Sequence, residues 1–584
     1  MSEPAKPTTQ SLFAEALARH EAGDFPAAEA LYRRFLARKP DHAGAWTNLG
    51  AVLRSRGRLG PAIAAHRRAI EIEPRMTTAR SNLATALRHH GDIAEAVALR
   101  TALLAEAPDD WIRIRDLAHI YRAARRDADA IRLIDAAEAR LGPNETGQLE
   151  RGLARLMLGD YAAGFRDYES RYAGGEVALP EGAPWPRWTG QPIDGKRLLV
   201  MPEQGFGDAI LMARFLPRLK EMGADVTLIA KPPLQRLFAD LEGVDRLVSG
   251  VKRSDAFDFY TPNMSLPHLV GMPGGAPPPP PRLTLPDDSV ARARRLVAPF
   301  RDRFRIGILW TGSLTYRGNH RRSTRPESFL RLAEVPGVQL FSLYKGDAHD
   351  AFLDSGMAGL VVDACGADRD FADSAAVIAE MDLMITTDSA VVHVAASLGK
   401  PVWNLLAWEG YWLYGEAETT PWYPSMRLFR QPRPGDWEAL FARVETALRD
   451  RLAATGGTVS VAVAPGELID KITILEIKSE RIAEPAKLAN VATELATLVA
   501  RRDATLTASA ELDRLSADLK SVNEALWEIE DDIRDCDRAG DFGPRFVELA
   551  RSVYRTNDKR MELKRRINTL LGSNLIEEKS YRPY

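Results

Sequence analysis

Cysteine is almost absent: Cys365 and Cys536 are the two in 584 residues, and they lie far apart. That leaves no disulfide framework and no thiolate metal site. No apolar run reaches the roughly 18 residues that span a bilayer, and residues 1–10 lack the apolar core of a signal peptide. A cytoplasmic protein with no integral membrane segment is expected. An excess of one charge is lacking too, with 78 Lys and Arg against 80 Asp and Glu and a net charge of −2. This argues against a general nucleic-acid or membrane-surface binder. Familiar cofactor loops are also missing. No phosphate loop ends in Lys-Ser/Thr, and no zinc pattern occurs. Gly205-Phe-Gly207 begins like a dinucleotide loop, but Ile210 stands at the third small position. The next strand ends in Ala230-Lys231 with no acid for a ribose, which argues against a nicotinamide or flavin site. Neither a cofactor nor a metal is expected.

What is present is ordinary globular composition, 45% hydrophobic and 27% charged. The chain is too long for one core, since single cores stop growing near about 250–300 residues. Residues 9–175 repeat: Pro40, Pro74 and Pro108 are 34 residues apart, and each closes a similar unit. The second unit places Trp46, Leu49, Gly50, Leu53, Gly57, Ala62, Ala69 and Pro74 in the spacing of the tetratricopeptide repeat, a pair of antiparallel helices. A fourth unit from Trp111 is degenerate, and Gly152 to Tyr172 reads as a capping unit. An all-helical solenoid with a concave groove is predicted. Equivalent positions on successive first helices carry Asn48 and Asn82, and then Arg54, Arg88 and Arg122. Asn can bond backbone donors and acceptors, and Arg grips carboxylates. The ladder therefore fits either a groove for an extended peptide or a merely solvated face.

Strand–helix alternation follows in two α/β sections, 180–285 and 286–455. The first has strands at 197–201, 225–230, 245–249 and 257–260, a continuation at 265–267, and a helix at 233–241. A Gly/Pro-rich linker at 271–281 lets the halves close on each other. The second has strands at 305–310, 338–343, 360–362, 382–387 and 401–406, with helices between them. Two doubly wound Rossmann-like sheets with a cleft between facing strand ends are expected. The last section, 457–584, opens on a strand-like piece at 458–462 and continues as a mostly helical domain. Its acidic run, Glu528 to Asp537, and basic run, Arg555 to Arg566, fit either antiparallel helix pairing or two solvated faces.

Three turns can carry chemistry. Pro202-Glu-Gln-Gly-Phe-Gly-Asp-Ala-Ile210 joins a buried strand to a helix. Gly205 and Gly207 permit close approach of a ligand, and Asp208 stands at the helix N-terminus, where it can cap, act as a base, or both. The loop Thr311 to Ser323 gathers Thr311, Ser313, Arg317, His320, Arg321 and Arg322 at a strand end, a cluster suited to a phosphate or diphosphate. Asp388, Ser389, Ala390 and His393 mark a strand ending where a helix N-terminus begins, a ready anion site. Asp368 and Asp370 have the spacing of a metal-binding pair but read better as helix caps.

Glu203-Gln-Gly-Phe-Gly-Asp208, Asp388-Ser-Ala-Val-Val-His393, Gly399-Lys-Pro-Val-Trp403 and Trp422-Tyr-Pro-Ser-Met-Arg-Leu-Phe-Arg-Gln431 together resemble bacterial tetratricopeptide-repeat glycosyltransferases related to the lipopolysaccharide heptosyltransferases. The resemblance covers about residues 9–450. It implies the two-domain GT-B fold, a nucleotide-sugar donor held by the second domain, and metal-independent inverting transfer to a hydroxyl. It also implies Asp208 as the base, and the turn at Asp388–His393 as part of the donor site, with Ala390 where the family has Gly. The layout is similar to flagellin glycosyltransferases and protein O-GlcNAc transferase, in which repeats deliver a protein acceptor. A Ser or Thr of a flagellin-like protein is the expected acceptor. A glycan-building transferase whose repeats recruit partners, and a non-catalytic scaffold, are the other two readings. The tail resembles a bacterial family with no assigned role.

Overall fold

The computed structural model describes residues 8–174, 177–179, 183–313, 318–346, 349–455 and 463–575. It comprises two compact units, Met1–Ala454 and Thr455–Tyr584. The first contains the repeats and both sheets.

Among the described residues, ten helices run from Thr9–Glu21 to Tyr161–Tyr168 and form five helix–turn–helix pairs. The unit predicted to be degenerate is a complete pair, Trp111–Ala123 and Asp127–Leu141. The cap also begins earlier than expected, with a helix at Glu145–Met157. The repeat persists in the backbone where the side chains have drifted. Its inter-helix turns pass through left-handed conformation at Gly23 (φ 75°), Gly57 (72°), Gly91 (105°) and Gly159 (84°). Glycine suits such turns because it has no Cβ to clash. The same 34-residue period lands on Arg125, φ 58°, the one non-glycine residue with positive φ among the described residues. That conformation costs an L-residue about 1–2 kcal/mol.

The last repeat is built into the core of the α/β region. Tyr161 and Phe165 meet the buried Trp422 edge-on, with ring centroids 5.5 and 6.2 Å away, and Tyr168 lies 5.0 Å from Trp412. Leu156, Tyr161, Phe165 and Tyr168 thus belong to the same apolar core as both sheets.

The first sheet holds β1 (Arg197–Met201), β2 (Asp225–Ile229), β3 (Arg246–Val248) and β4 (Phe259–Pro262), all parallel, in the order β3-β2-β1-β4. The second holds β5 (Phe304–Leu309), β6 (Val338–Ser342), β7 (Val361–Asp363), β8 (Leu383–Thr387), β9 (Val402–Leu406) and β10 (Met426–Arg430), also parallel, in the order β10-β9-β8-β5-β6-β7. Strand order reverses beside β1 in one sheet and between β5 and β8 in the other. Loops diverge at such points and leave a crevice, the usual binding place of open α/β sheets.

Three local expectations are corrected. Residues 265–267 are no strand: the segment turns through Asn263–Ser265 into the helix Leu266–Val270. The helix predicted over 233–241 is a 3-10 turn, Pro232–Leu234, followed by further turns. Leu234, Leu237 and Phe238 are buried there as the pattern demanded, and a run of tight turns buries i, i+3 and i+4 as well as a helix does. An unpredicted edge strand, β10, buries Met426 and Leu428 and exposes Arg427.

In the second unit four helices, Pro465–Arg481, Pro485–Thr505, Ala510–Ala539 and Pro544–Leu570, follow one another. The strand-like piece at 458–462 lies outside the described residues. The last two helices form the expected antiparallel hairpin through the left-handed Gly540, while ion pairs of its charged runs lead elsewhere among the described residues. Glu530 and Asp531 pair with Arg534 on their own helix, while Arg560 and Lys564 turn to Asp470 and Glu467 on the first helix. Leu512, Leu515, Leu519, Leu563 and Ile567 hold the hairpin instead.

Candidate active site

At the end of β1 the chain turns at Gly205 into the helix Phe206–Met212, anchored by buried Ile210, Leu211 and Met212. Asp208 reaches back so that its Oδ2 accepts the Gly205 amide at 2.9 Å, which is a helix-capping role. Its other oxygen accepts the hydroxyl of Tyr411 at 2.9 Å. Burial raises the carboxyl pKa, against the opposing pull of Tyr411, the Gly205 amide and Arg322.

The turn after β8 stands directly opposite. Asp388 and Ser389 are each 8% exposed and lead into the eight-residue helix Ala390–Ser397. The Ser389 hydroxyl is buried without a hydrogen-bond partner, an atom left to be satisfied by something further. Tyr414 donates its hydroxyl to Asp388 at 3.3 Å. His393 is held neutral, its pKa lowered to about 3 by burial and by Arg214 and Arg322. Its Nδ1 lies 3.1 Å from the Tyr423 hydroxyl. A Cβ built on Gly207 would stand 2.8 Å from His393 Cδ2 and 3.3 Å from the Ala390 Cα. The glycine therefore lets the two opposed turns touch, and His393 faces Gly207.

Burial pushes the Asp388 carboxyl up to about 6, with the nearby Asp208 adding to the rise and Arg322 and Tyr414 opposing it. A folded-state pKa above the unfolded value means that the folded form holds more protons between about pH 4 and 6, so stability falls as pH rises through that window. Asp388→Asn should therefore gain stability over the parent at pH 8, on the order of 1–3 kcal/mol, and little at pH 4. Urea unfolding at the two pH values measures this, and equal gains at both would refute it.

The loop after β5 supplies the positive charge. Thr311 is buried, with its Oγ1 2.8 Å from both Ser323 Oγ and Asn319 Nδ2. The short helix Asn319–Arg322 then turns the arginines. Arg322 lies against Gly312, where a Cβ would meet its Nη2 at 2.9 Å, and its charge acts on Asp208, Asp388 and His393 alike. Arg321 instead bonds Glu409 at 3.2 Å. Ser313 is exposed, and Arg317 lies outside the described residues. Asp370 does cap its helix, accepting from Ala372 and Asp373.

Two of the three groove arginines have internal partners. Arg88 is buried and reaches Glu409 at 3.3 Å, and Arg122 donates to Glu150 at 2.7 Å. Arg54, Asn48 and Asn82 are half-buried on the first helices of their pairs. Of the predicted arginine ladder, then, two members already hold carboxylates of this chain.

Sequence reasoning missed the segment after β9. Trp408, Tyr411, Trp412 and Tyr414 put four aromatics into seven residues, a density that could have flagged it. It also missed a buried ion cluster beneath the Asp208 turn. Arg171 from the capping repeat clasps both oxygens of Glu203 at 2.7 and 2.6 Å, their side chains 2% and 3% exposed. The Glu203 amide bonds Asn263, and Gln204 donates to Tyr168.

Three family models match this chain. Residues 13–76 match a tetratricopeptide repeat, 355–425 match glycosyltransferase family 9 (heptosyltransferase), and 459–583 match a family of unknown function (DUF6165). Protein FlbA of Caulobacter vibrioides is 29% identical over 332 residues, 53% of this chain and 55% of that protein. The chain thus spans about half the length of that curated relative. Among solved structures, a glycosyl transferase family 9 protein from Veillonella parvula is 14% identical, covering 44% of this chain and 91% of that one at a TM-score of 0.34. A tetratricopeptide repeat protein from Parabacteroides merdae is 21% identical, covering 29% and 66% at a TM-score of 0.26. The chain carries tetratricopeptide repeats and a glycosyltransferase family 9 domain, the latter match containing the Asp388–His393 turn. No helix among the described residues is long and apolar enough to cross a membrane.

Proposed function

We propose that the chain is a glycosyltransferase that moves a sugar from a nucleotide-sugar donor to a hydroxyl, with inversion and without a metal. The observation carrying this reading is the meeting of Asp208, Asp388, Ser389 and Arg322 at facing strand ends of two parallel sheets. In the reaction the acceptor oxygen bonds the anomeric carbon, the bond from that carbon to the phosphate oxygen breaks, and its electron pair leaves on the nucleoside diphosphate. The acceptor proton passes to Asp208, whose buried position makes it a stronger base than a surface carboxylate. Arg321, Arg322 and the Ser389 hydroxyl take up the charge growing on the leaving phosphate. The repeats share a core with the transferase sheets, which supports an acceptor presented by the groove: a Ser or Thr of a flagellin-like protein.

A panel of nucleotides and nucleotide sugars tests the reading. One nucleotide family should raise the melting temperature, and its sugar should appear by mass spectrometry on protein from a whole-cell extract. No shift with any nucleotide would refute the enzyme, and transfer only to lipid-linked glycan would refute the protein acceptor.

A further inference from the structure

One short stretch of chain, residues 408–416, touches the repeats and both carboxylate turns. Toward the cleft, Tyr411 donates to Asp208 and Tyr414 to Asp388. Toward the repeats, the Trp408 indole donates to the Ala123 carbonyl at 2.8 Å. The Arg125 guanidinium lies 4.1 Å over the Trp408 ring and 3.4 Å from Glu416. Arg125 is also the residue that replaces glycine in the 34-residue series of left-handed turns. A glycine there would relieve the backbone and lose the grip on Trp408. Strain tolerated at one repeat of five, at the place where that repeat holds the cleft segment, points to a task for the side chain.

We propose that Tyr411 is a positioning residue for Asp208, and that the repeat array fixes it there through Arg125 and Trp408. The repeats thereby act on the base itself as well as on any acceptor. The inference builds on the role of Asp208 given above, but its test reads the carboxyl directly. Besides Tyr411, the charged or titratable groups facing Asp208 are Arg322 from the loop after β5, Asp388 from the turn after β8, Tyr168 from the last repeat, and Tyr414. Arg125→Gly alters none of these side chains, and Tyr414 alone shares the 408–416 segment with Tyr411.

The experiment is a 13C titration of the Asp208 carboxyl in the full chain, assigned with Asp208→Asn. Tyr411→Phe should raise its midpoint by about one unit, because a hydrogen bond to the ionised form is lost. Arg125→Gly should move the midpoint the same way by a measurable part of that shift, with thermal stability equal to or above the parent's. A midpoint unchanged in Arg125→Gly overturns the link to the repeats, and one unchanged in Tyr411→Phe overturns the positioning role. Near-normal transfer by Asp208→Asn would instead remove the base assignment and leave both titrations as they stand.

Discussion

Asp208→Asn is expected to lower sugar transfer by about 100-fold or more while nucleotide binding persists. The substitution keeps the size of the side chain and one oxygen to accept a hydrogen bond, either from the Gly205 amide or from Tyr411. The capacity to take a proton is removed, together with one of those two hydrogen bonds. Binding should survive because the groups assigned to the phosphates, Arg321, Arg322 and Ser389, come from the other sheet. Kinetics with saturating donor, paired with a nucleotide thermal shift, separates the two effects. Retained turnover would show that Asp208 only caps its helix.

Arg171→Ala should destabilise the protein by about 3–5 kcal/mol, because removing one partner leaves Glu203 as a buried, unpaired charge. The loss should reach transfer too. Glu203 lies five residues before Asp208, and its amide bonds Asn263 at the end of β4, so a repacked Glu203 shifts the turn that carries the base. Replacing both partners with apolar residues of similar volume should recover most of the stability, since the stranded charge is then gone. Denaturant unfolding of the single and double variants checks this. A single variant as stable as the parent would mean that water already reaches Glu203.

Much of this architecture was legible in the sequence because it rests on local rules. The 34-residue spacing marked the repeats, and short apolar runs between polar turns marked nine of the ten strands. Asp208, Asp388 and Arg322 were legible for the same reason: each sits at a strand end, where an α/β sheet exposes its loops. What could not be read depends on contacts distant in sequence. Arg88 is an ordinary repeat-surface arginine until Glu409, 321 residues away, comes to meet it. That His393 lies against Gly207 of the facing turn is likewise invisible in the local sequence. The charged runs of the last hairpin pointed to the right pairing of helices but not to its contacts, for a related reason. In an antiparallel hairpin the register is counted from the turn at Gly540, and the two runs sit at different distances from it.

Shared aromatic packing around Trp422 changes how the solenoid can come apart. Repeat arrays ordinarily unzip from either terminus, because each unit leans only on its neighbours. Here the final pair is welded to a much larger core through Tyr161, Phe165 and Tyr168. Fraying can therefore start only at the Thr9–Glu21 end, and each unit is sturdier the nearer it lies to the cleft. The array is a one-ended spring, pliant at its Thr9–Glu21 end and stiff beside the two sheets.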